Sequence, residues 1–343
     1  MATRIEFILI VLFFFPSTVL AQYNVNNLLT LTDKVYFEEE NDFINNSLIY
    51  TIDQNSNIIG TDLKRSKISI FDSSGKFINQ FGEIGKGPGD FEYPTSSIRL
   101  NDGTLLISEF SGRLSLFSEN GNSFIKVFNT DIFPLMNVKL LDDKRLLLIG
   151  RKTGDNPSYL HIYNLSETKI EKSFLELPFM HSDYAQAFRM LAQLVVADVY
   201  YDRIIAAVTP FDMVYIFSME GKLLNTKKIN LENFKHVSKN TNSLSREDLL
   251  EYTTTFSIID KLYVLPDGTL LIQYSRMKNI NTNNPDQRDT EYNLALISND
   301  DWSVLFEIEK SPTLVAVDMN DSSLFFKDEQ GAHSYLLKGY LKR

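Results

Sequence analysis

A short apolar strand, a turn bearing Asp or Asn, and a second apolar strand recur six times along this 343-residue chain. That internal repeat restricts the fold more than any other feature. The copies span residues 48–60, 97–107, 138–148, 194–208, 263–272 and 314–326. The fifth, Leu265-Pro266-Asp267-Gly268-Thr269-Leu270-Leu271-Ile272, nearly repeats the second, Leu100-Asn101-Asp102-Gly103-Thr104-Leu105-Leu106-Ile107. Their turn markers Asp53, Asp102, Asp143, Asp202, Asp267 and Asp321 lie 49, 41, 59, 65 and 54 residues apart, so the unit persists while loop length varies.

Each pair leads into a third strand that closes on its own turn. Phe71-Asp72-Ser73-Ser74-Gly75, Phe117-Ser118-Glu119-Asn120-Gly121 and Phe217-Ser218-Met219-Glu220-Gly221 are three such ends, and a fourth strand follows, as in 76–81 and 123–128. Four antiparallel strands per unit, rich in β-branched and aromatic residues and joined by Gly, Asn or Asp turns, predict an all-β six-bladed β-propeller of four-stranded blades. A β-sandwich or a pair of smaller β domains is the rival, and a regular four-strand period does not call for either. The sixth unit supplies only three strands, the last near 334–337. An uncovered edge would invite aggregation, so an N-terminal strand drawn from 27–40, centred on Lys34-Val35-Tyr36-Phe37, is expected to close the ring.

Ahead of that strand, Arg4 precedes the apolar run 7–15, Pro16 breaks it, and small residues lead to Ala21. This pattern predicts a signal peptide over 1–21, cleaved near Ala21, and a single propeller domain over 22–343 that is exported to the periplasm or beyond the cell. Nine apolar residues rise only about 14 Å as a helix, too short for a hydrocarbon core of roughly 30 Å, so no transmembrane anchor is expected in the mature chain. The chain has no cysteine, which removes disulfides, thiolate metal sites, a thiol nucleophile and an acylated-cysteine lipid anchor. A net charge of -10 argues against nucleic acid as a partner.

The segment Gly82-Glu83-Ile84-Gly85-Lys86-Gly87-Pro88-Gly89-Asp90-Phe91-Glu92-Tyr93-Pro94 joins the fourth strand of one blade to the first of the next. It resembles the glycine- and proline-rich linker of NHL-type propellers, especially secreted bacterial six-bladed β-propeller proteins. In such repeats an Asp usually ends the second strand, where this chain has Asp62, then Glu109, then Arg151. The resemblance implies the fold and export; that broad group includes binding modules, lyases and lactonases, so it selects no activity. The same glycines do not form a nucleotide fingerprint, because Pro94 and a strand follow them where a helix would be needed.

Blade topology places first-to-second and third-to-fourth turns on one face, and all other connections on the opposite face. The long insertions 82–94, 152–159, 178–189, 232–255 and 275–291 all fall in the second set, so ligand binding is expected on that face and at the mouth of the central channel. Ser245 and Asp248 pair as a cap, with Leu244 and Leu249 at staple positions, predicting a helical insertion at about 232–255 with its helix over 246–254. The polar stretch 279–286 is expected to be a mobile loop. Candidate binding residues are Arg65, Arg113, Arg151, Tyr159, His181, Tyr184, Arg189 and Arg276, since guanidinium forks and aromatic faces suit a protein or a glycan partner. The plainer alternative is that the aromatics seal blade against blade and the arginines are solvated.

His161, His181, His236 and His333 lack metal-ligand spacing and read as neutral or surface residues. No cofactor is predicted. Calcium or zinc stays open, with Asp62, Glu109, Asn137, Asp198 and Asp260 as residues that could converge on the channel. Trp302 reads as a packing residue, with a carbohydrate platform second. The sequence therefore favours an exported, non-catalytic binding propeller; the competing reading is a metal-assisted hydrolase or lyase, lactonase-like, with an ion in the channel.

Overall fold

The computed structural model describes residues 28–37, 48–152, 157–177, 193–237, 254–280, 288–327 and 335–342. Strand β1 is Leu29–Tyr36. Blade I then holds β2 Leu48–Ile52, β3 Ile58–Asp62, β4 Lys67–Phe71 and β5 Phe77–Phe81. Blade II is β6 Pro94–Arg99, β7 Leu105–Glu109, β8 Arg113–Phe117 and β9 Phe124–Asn129, and blade III is β10 Ile132–Leu140, β11 Arg145–Lys152, β12 Ser158–Asn164 and β13 Lys169–Glu176. Blade IV is β14 Val195–Tyr200, β15 Arg203–Val208, β16 Met213–Ser218 and β17 Leu223–Lys228, and blade V is β18 Ile258–Val264, β19 Leu270–Ile280, β20 Arg288–Ile297 and β21 Val304–Ile308. Blade VI takes β22 Leu314–Asp318, β23 Ser323–Lys327 and β24 Tyr335–Leu341, and β1 completes it in the order β1-β24-β23-β22.

The ring is thus a six-bladed propeller latched by its own first strand. Val35 pairs with Leu336 and Tyr36 with Tyr335. All six turn markers fall between the first and second strands of their blades, as the repeat required.

Six apolar clusters account for the architecture, one at each blade-to-blade interface. Alternating strand side chains point to opposite faces of a sheet, so each blade offers one apolar face to each neighbour. The closing interface is built the same way: Val35 and Phe37 meet Tyr50, Ile58 and Phe71 of blade I and Phe325 of blade VI. The linker resembling NHL repeats is packed, with Phe91 fully buried between blades I and II. Gly82 has φ +93°, and a Cβ there would collide with the Phe91 ring, so glycine is required.

Inner strands begin at one face, here the loop face, and end at the other, the turn face. Turn-face connections are short, none longer than the six residues 298–303. The longest on the loop face are 82–93, 177–194 and 229–257. The stretch expected as loop over 275–291 is largely strand: β19 and β20 extend as a hairpin, with Asn279 opposite Asp289 and Ile280 opposite Arg288. Its tip, residues 281–287, the expected helix over 246–254 except its last residue, and the expected signal peptide lie outside the described residues. Among the described residues there is no helix.

Candidate functional site

The inner strands β2, β6, β10, β14, β18 and β22 surround a central cavity of about 390 Å³. Its charged side chains sit in layers. At the turn face, Arg99 Nε donates to Asp53 Oδ2 at 2.6 Å, and both side chains are almost fully buried. Asp53 also accepts the amides of Asn55 and Asn57, while Arg99 Nη1 reaches the Gly103 and Glu119 carbonyls. This layer has every charge matched. One step toward the loop face, Lys139 Nζ lies 3.0 Å from Asp198 Oδ1 and 5.4 Å from the centre of the Tyr263 ring. Asp198 Oδ2 accepts the Val264 amide, tying blade III to blades IV and V.

The layer nearest the loop face is different. The register of β18 slips between Ile259 and Lys261, so Asp260 is the extra residue of a bulge. Bulges also fall between Pro94 and Ser96 in β6 and between Leu135 and Asn137 in β10, and Thr95, Met136 and Asp260 all line the cavity. A bulge re-aims side chains that a regular strand would send into the blade interface. The Ser275 hydroxyl bonds the Asp260 carboxyl, yet Asp260 Oδ2 is buried with no hydrogen-bond partner. Burial pushes this carboxyl up to about 7, against the opposing effects of Ser275 and Lys261. Burial lowers the Lys261 ammonium, which Asp260 favours and Lys139 opposes. Asn137 Oδ1 accepts from Ser96 Oγ and the Val138 amide, which turns its amide hydrogens away from those partners.

The sequence-predicted residues stand elsewhere. Among the cavity's lining residues are none of Arg65, Arg113, Arg151, Tyr159 or Arg276. Arg65 is half exposed in the β3–β4 turn, 3.9 Å from Asp62, whose carboxylate caps the Lys64 and Arg65 amides. Arg113 holds the linker: Nη2 donates to the Gly87 carbonyl at 2.9 Å and Nε lies 3.4 Å from Glu109. Glu109 in turn accepts the Glu92 amide. Arg151 and Tyr159 are brought together in blade III, where Tyr159 is buried in the core shared with blade IV and its hydroxyl is raised mainly by burial. Arg276 lies in β19 opposite Glu291. His181, Tyr184 and Arg189 lie outside the described residues.

His161 is fully buried, with Nδ1 against Ser173 Oγ at 2.8 Å and Nε2 against the Gly150 carbonyl at 3.2 Å; burial pushes the ring down to about 4, so it is neutral. Of the residues offered for calcium, Asn137, Asp198 and Asp260 do line the cavity, whereas Asp62 and Glu109 are spent on turn and linker amides. Asp198 is committed to Lys139 and the Val264 amide, and among the described residues no three His, Asp or Glu side chains gather to hold an ion.

Sequence reasoning placed binding on the loop face, but it did not single out Ile84 and Phe133 on its rim. Tyr93 and Phe133, at the loop-face ends of β6 and β10, are 67% and 56% exposed, and Ile84 in the linker is 73% exposed. Phe110 joins two of them: its amide donates to the Tyr93 carbonyl, and its ring packs edge-on against Phe133 at 5.3 Å. Tyr93 has φ +55°, a left-handed conformation that a bulky residue rarely adopts.

Residues 38–264 match the family model described as 6-bladed beta-propeller (DUF5128), and the chain belongs to that family. No curated protein matches it. Among solved structures, one from Bacteroides fragilis described as an exported protein shares 14% identity, with a TM-score of 0.65 over 94% of this chain and 98% of its own. A member of the duf4221 family from Bacteroides vulgatus shares 12% identity, with a TM-score of 0.69 over 92% of this chain and 98% of its own.

Proposed function

We infer that this DUF5128 propeller is an exported binding protein that engages a protein partner with its loop face. The observation that carries the reading is the exposed Ile84, Tyr93 and Phe133 set on the face that also holds every long connection. Ile84 and Phe133 offer no hydrogen-bonding atom, so this rim suits an apolar protein segment better than the hydroxyl-rich face of a glycan. Export is supported by the apolar 7–15 run ending near Ala21, and by the description of the Bacteroides fragilis structure.

The test is site-specific photo-crosslinking in the native host, with the probe at position 93 or 133 on the loop face and at position 73 on the turn face. The reading expects one recurrent protein adduct from the loop-face probes alone, and loss of binding of that purified protein to the Tyr93→Ala, Phe133→Ala double variant. Equal labelling from both faces, or retention of a glycan in place of a protein, would overturn it. Amino-terminal sequencing of the exported chain checks the compartment, with a first residue near Gln22 expected.

A further inference from the structure

Three cations and three carboxylates line the channel: Arg99, Lys139 and Lys261 with Asp53, Asp198 and Asp260. Two of the pairs close, at 2.6 and 3.0 Å. Asp260 and Lys261, though adjacent, form no ion pair, and among the described residues the Lys261 ammonium has no hydrogen-bond partner. Lys261 is also near enough to Lys139 for the two ammonium groups to repel. Asn137, two residues before Lys139 on β10, keeps both amide hydrogens unused once its oxygen has taken Ser96 and Val138. The loop-facing half of the channel thus holds an unpaired cation and an unused amide beside a carboxyl with one unpartnered oxygen.

A cavity of about 390 Å³ is within the range of small-molecule sites, and an N–H donor and a cation lining the same cavity suit a carboxylate. We propose that the loop-facing half of the channel binds a small organic acid, its carboxylate held by the Lys261 ammonium and the Asn137 amide beside Asp260. This goes beyond the binding of a partner at the rim and does not depend on it.

Asp260 sets the pH response. Its carboxyl is pushed up to about 7, so below that pH it is a neutral donor that can bond the bound anion. Above that pH it ionises and repels the ligand, and burial lowers Lys261 as well, so the cation is lost more readily than from a free lysine. The other groups facing this layer are Lys139, Asp198 and Tyr263, with Tyr263 held protonated by burial and by Asp198. Acid binding therefore weakens as pH rises through about 7 and is accompanied by proton uptake.

Isothermal titration of the exported chain with propionate and glucuronate, against propionamide and propylamine, tests this at about pH 6 and about pH 8.5. The two acids separate an aliphatic source of the carboxylate from a sugar acid. The expected result is heat from at least one acid and none from the amide or amine, with affinity falling several-fold at the higher pH. Lys261→Gln should weaken the acid by about tenfold or more, the scale of one charge-assisted hydrogen bond. Asp260→Asn should keep binding at low pH and flatten the pH profile. If Lys261→Gln does not fold, the wild-type and Asp260→Asn profiles decide alone. No heat from either acid, preference for the amine, or an unchanged affinity in folded Lys261→Gln would overturn the proposal. A Phe133→Ser variant that keeps acid binding while losing the rim partner would show that the two sites stand separately.

Discussion

The two ends of this propeller solve the same problem in opposite ways. At the turn face, side-chain carboxylates cap the chain locally: Asp72, Asp102, Asp142, Asp267, Asp301 and Asp321 each accept a backbone amide two residues on. The channel ends there in the Arg99–Asp53 pair, with every charge satisfied. At the loop face the connections lengthen, and the channel presents Asp260 and Lys261 without closing them on each other. A repeat scaffold can satisfy one end by a rule applied blade after blade, which leaves the other end free to carry groups whose partners come from outside.

Substitutions can break this contrast. Arg99→Met should cost most, about 3–5 kcal/mol in urea unfolding, because it strands the buried Asp53 carboxylate. A loss below 1 kcal/mol would mean that the turn end is not an electrostatic clamp. Gly75→Ala should cost on the order of 1–3 kcal/mol, since Gly75 sits at φ +89° and an added Cβ would run into the Tyr36 carbonyl at the end of the latching strand. Its unfolding should begin with loss of hydrogen-exchange protection in β1, and uniform loosening of all blades would contradict the latch. Ile84→Ser with Phe133→Ser should cost no more than about 1.5 kcal/mol, the scale of the lost Phe110–Phe133 ring pair, while abolishing partner capture. A large loss of stability there would turn the rim into part of the fold.

The propeller, the six turns and the latch from the first strand were legible because each rests on local pattern: a two-residue period, Asp-rich turns, and an edge that needs a cover. The channel was only partly legible. The sequence offers Asn137, Asp198 and Asp260 for the channel alongside Asp62 and Glu109, which stand elsewhere, and Arg99 and Asp53 meet across 46 residues of sequence with nothing local to announce that pairing. Asp260 points into the cavity because of a one-residue bulge, and a single slip of register reverses which face a side chain takes. Arg113 and Tyr159 show the converse. Their residue types suit a ligand, yet one fastens a linker and the other fills a blade interface.

The central claim is that the loop-facing end of the channel keeps an uncompensated group at a cost in stability, as sites held ready for a ligand do. Asp260 tests it through pH. A carboxyl raised to about 7 in the folded chain, from its ordinary value of 3.8, favours folding where it is protonated and penalises folding increasingly as pH climbs between those values. Urea unfolding of wild type and Asp260→Asn from about pH 5 to pH 8 should show the variant more stable by about 2–4 kcal/mol at pH 8, with the gap shrinking as pH falls. A variant that is less stable than wild type, or a gap that ignores pH, would mean that Asp260 is a satisfied structural residue and that the two ends of the channel are built alike.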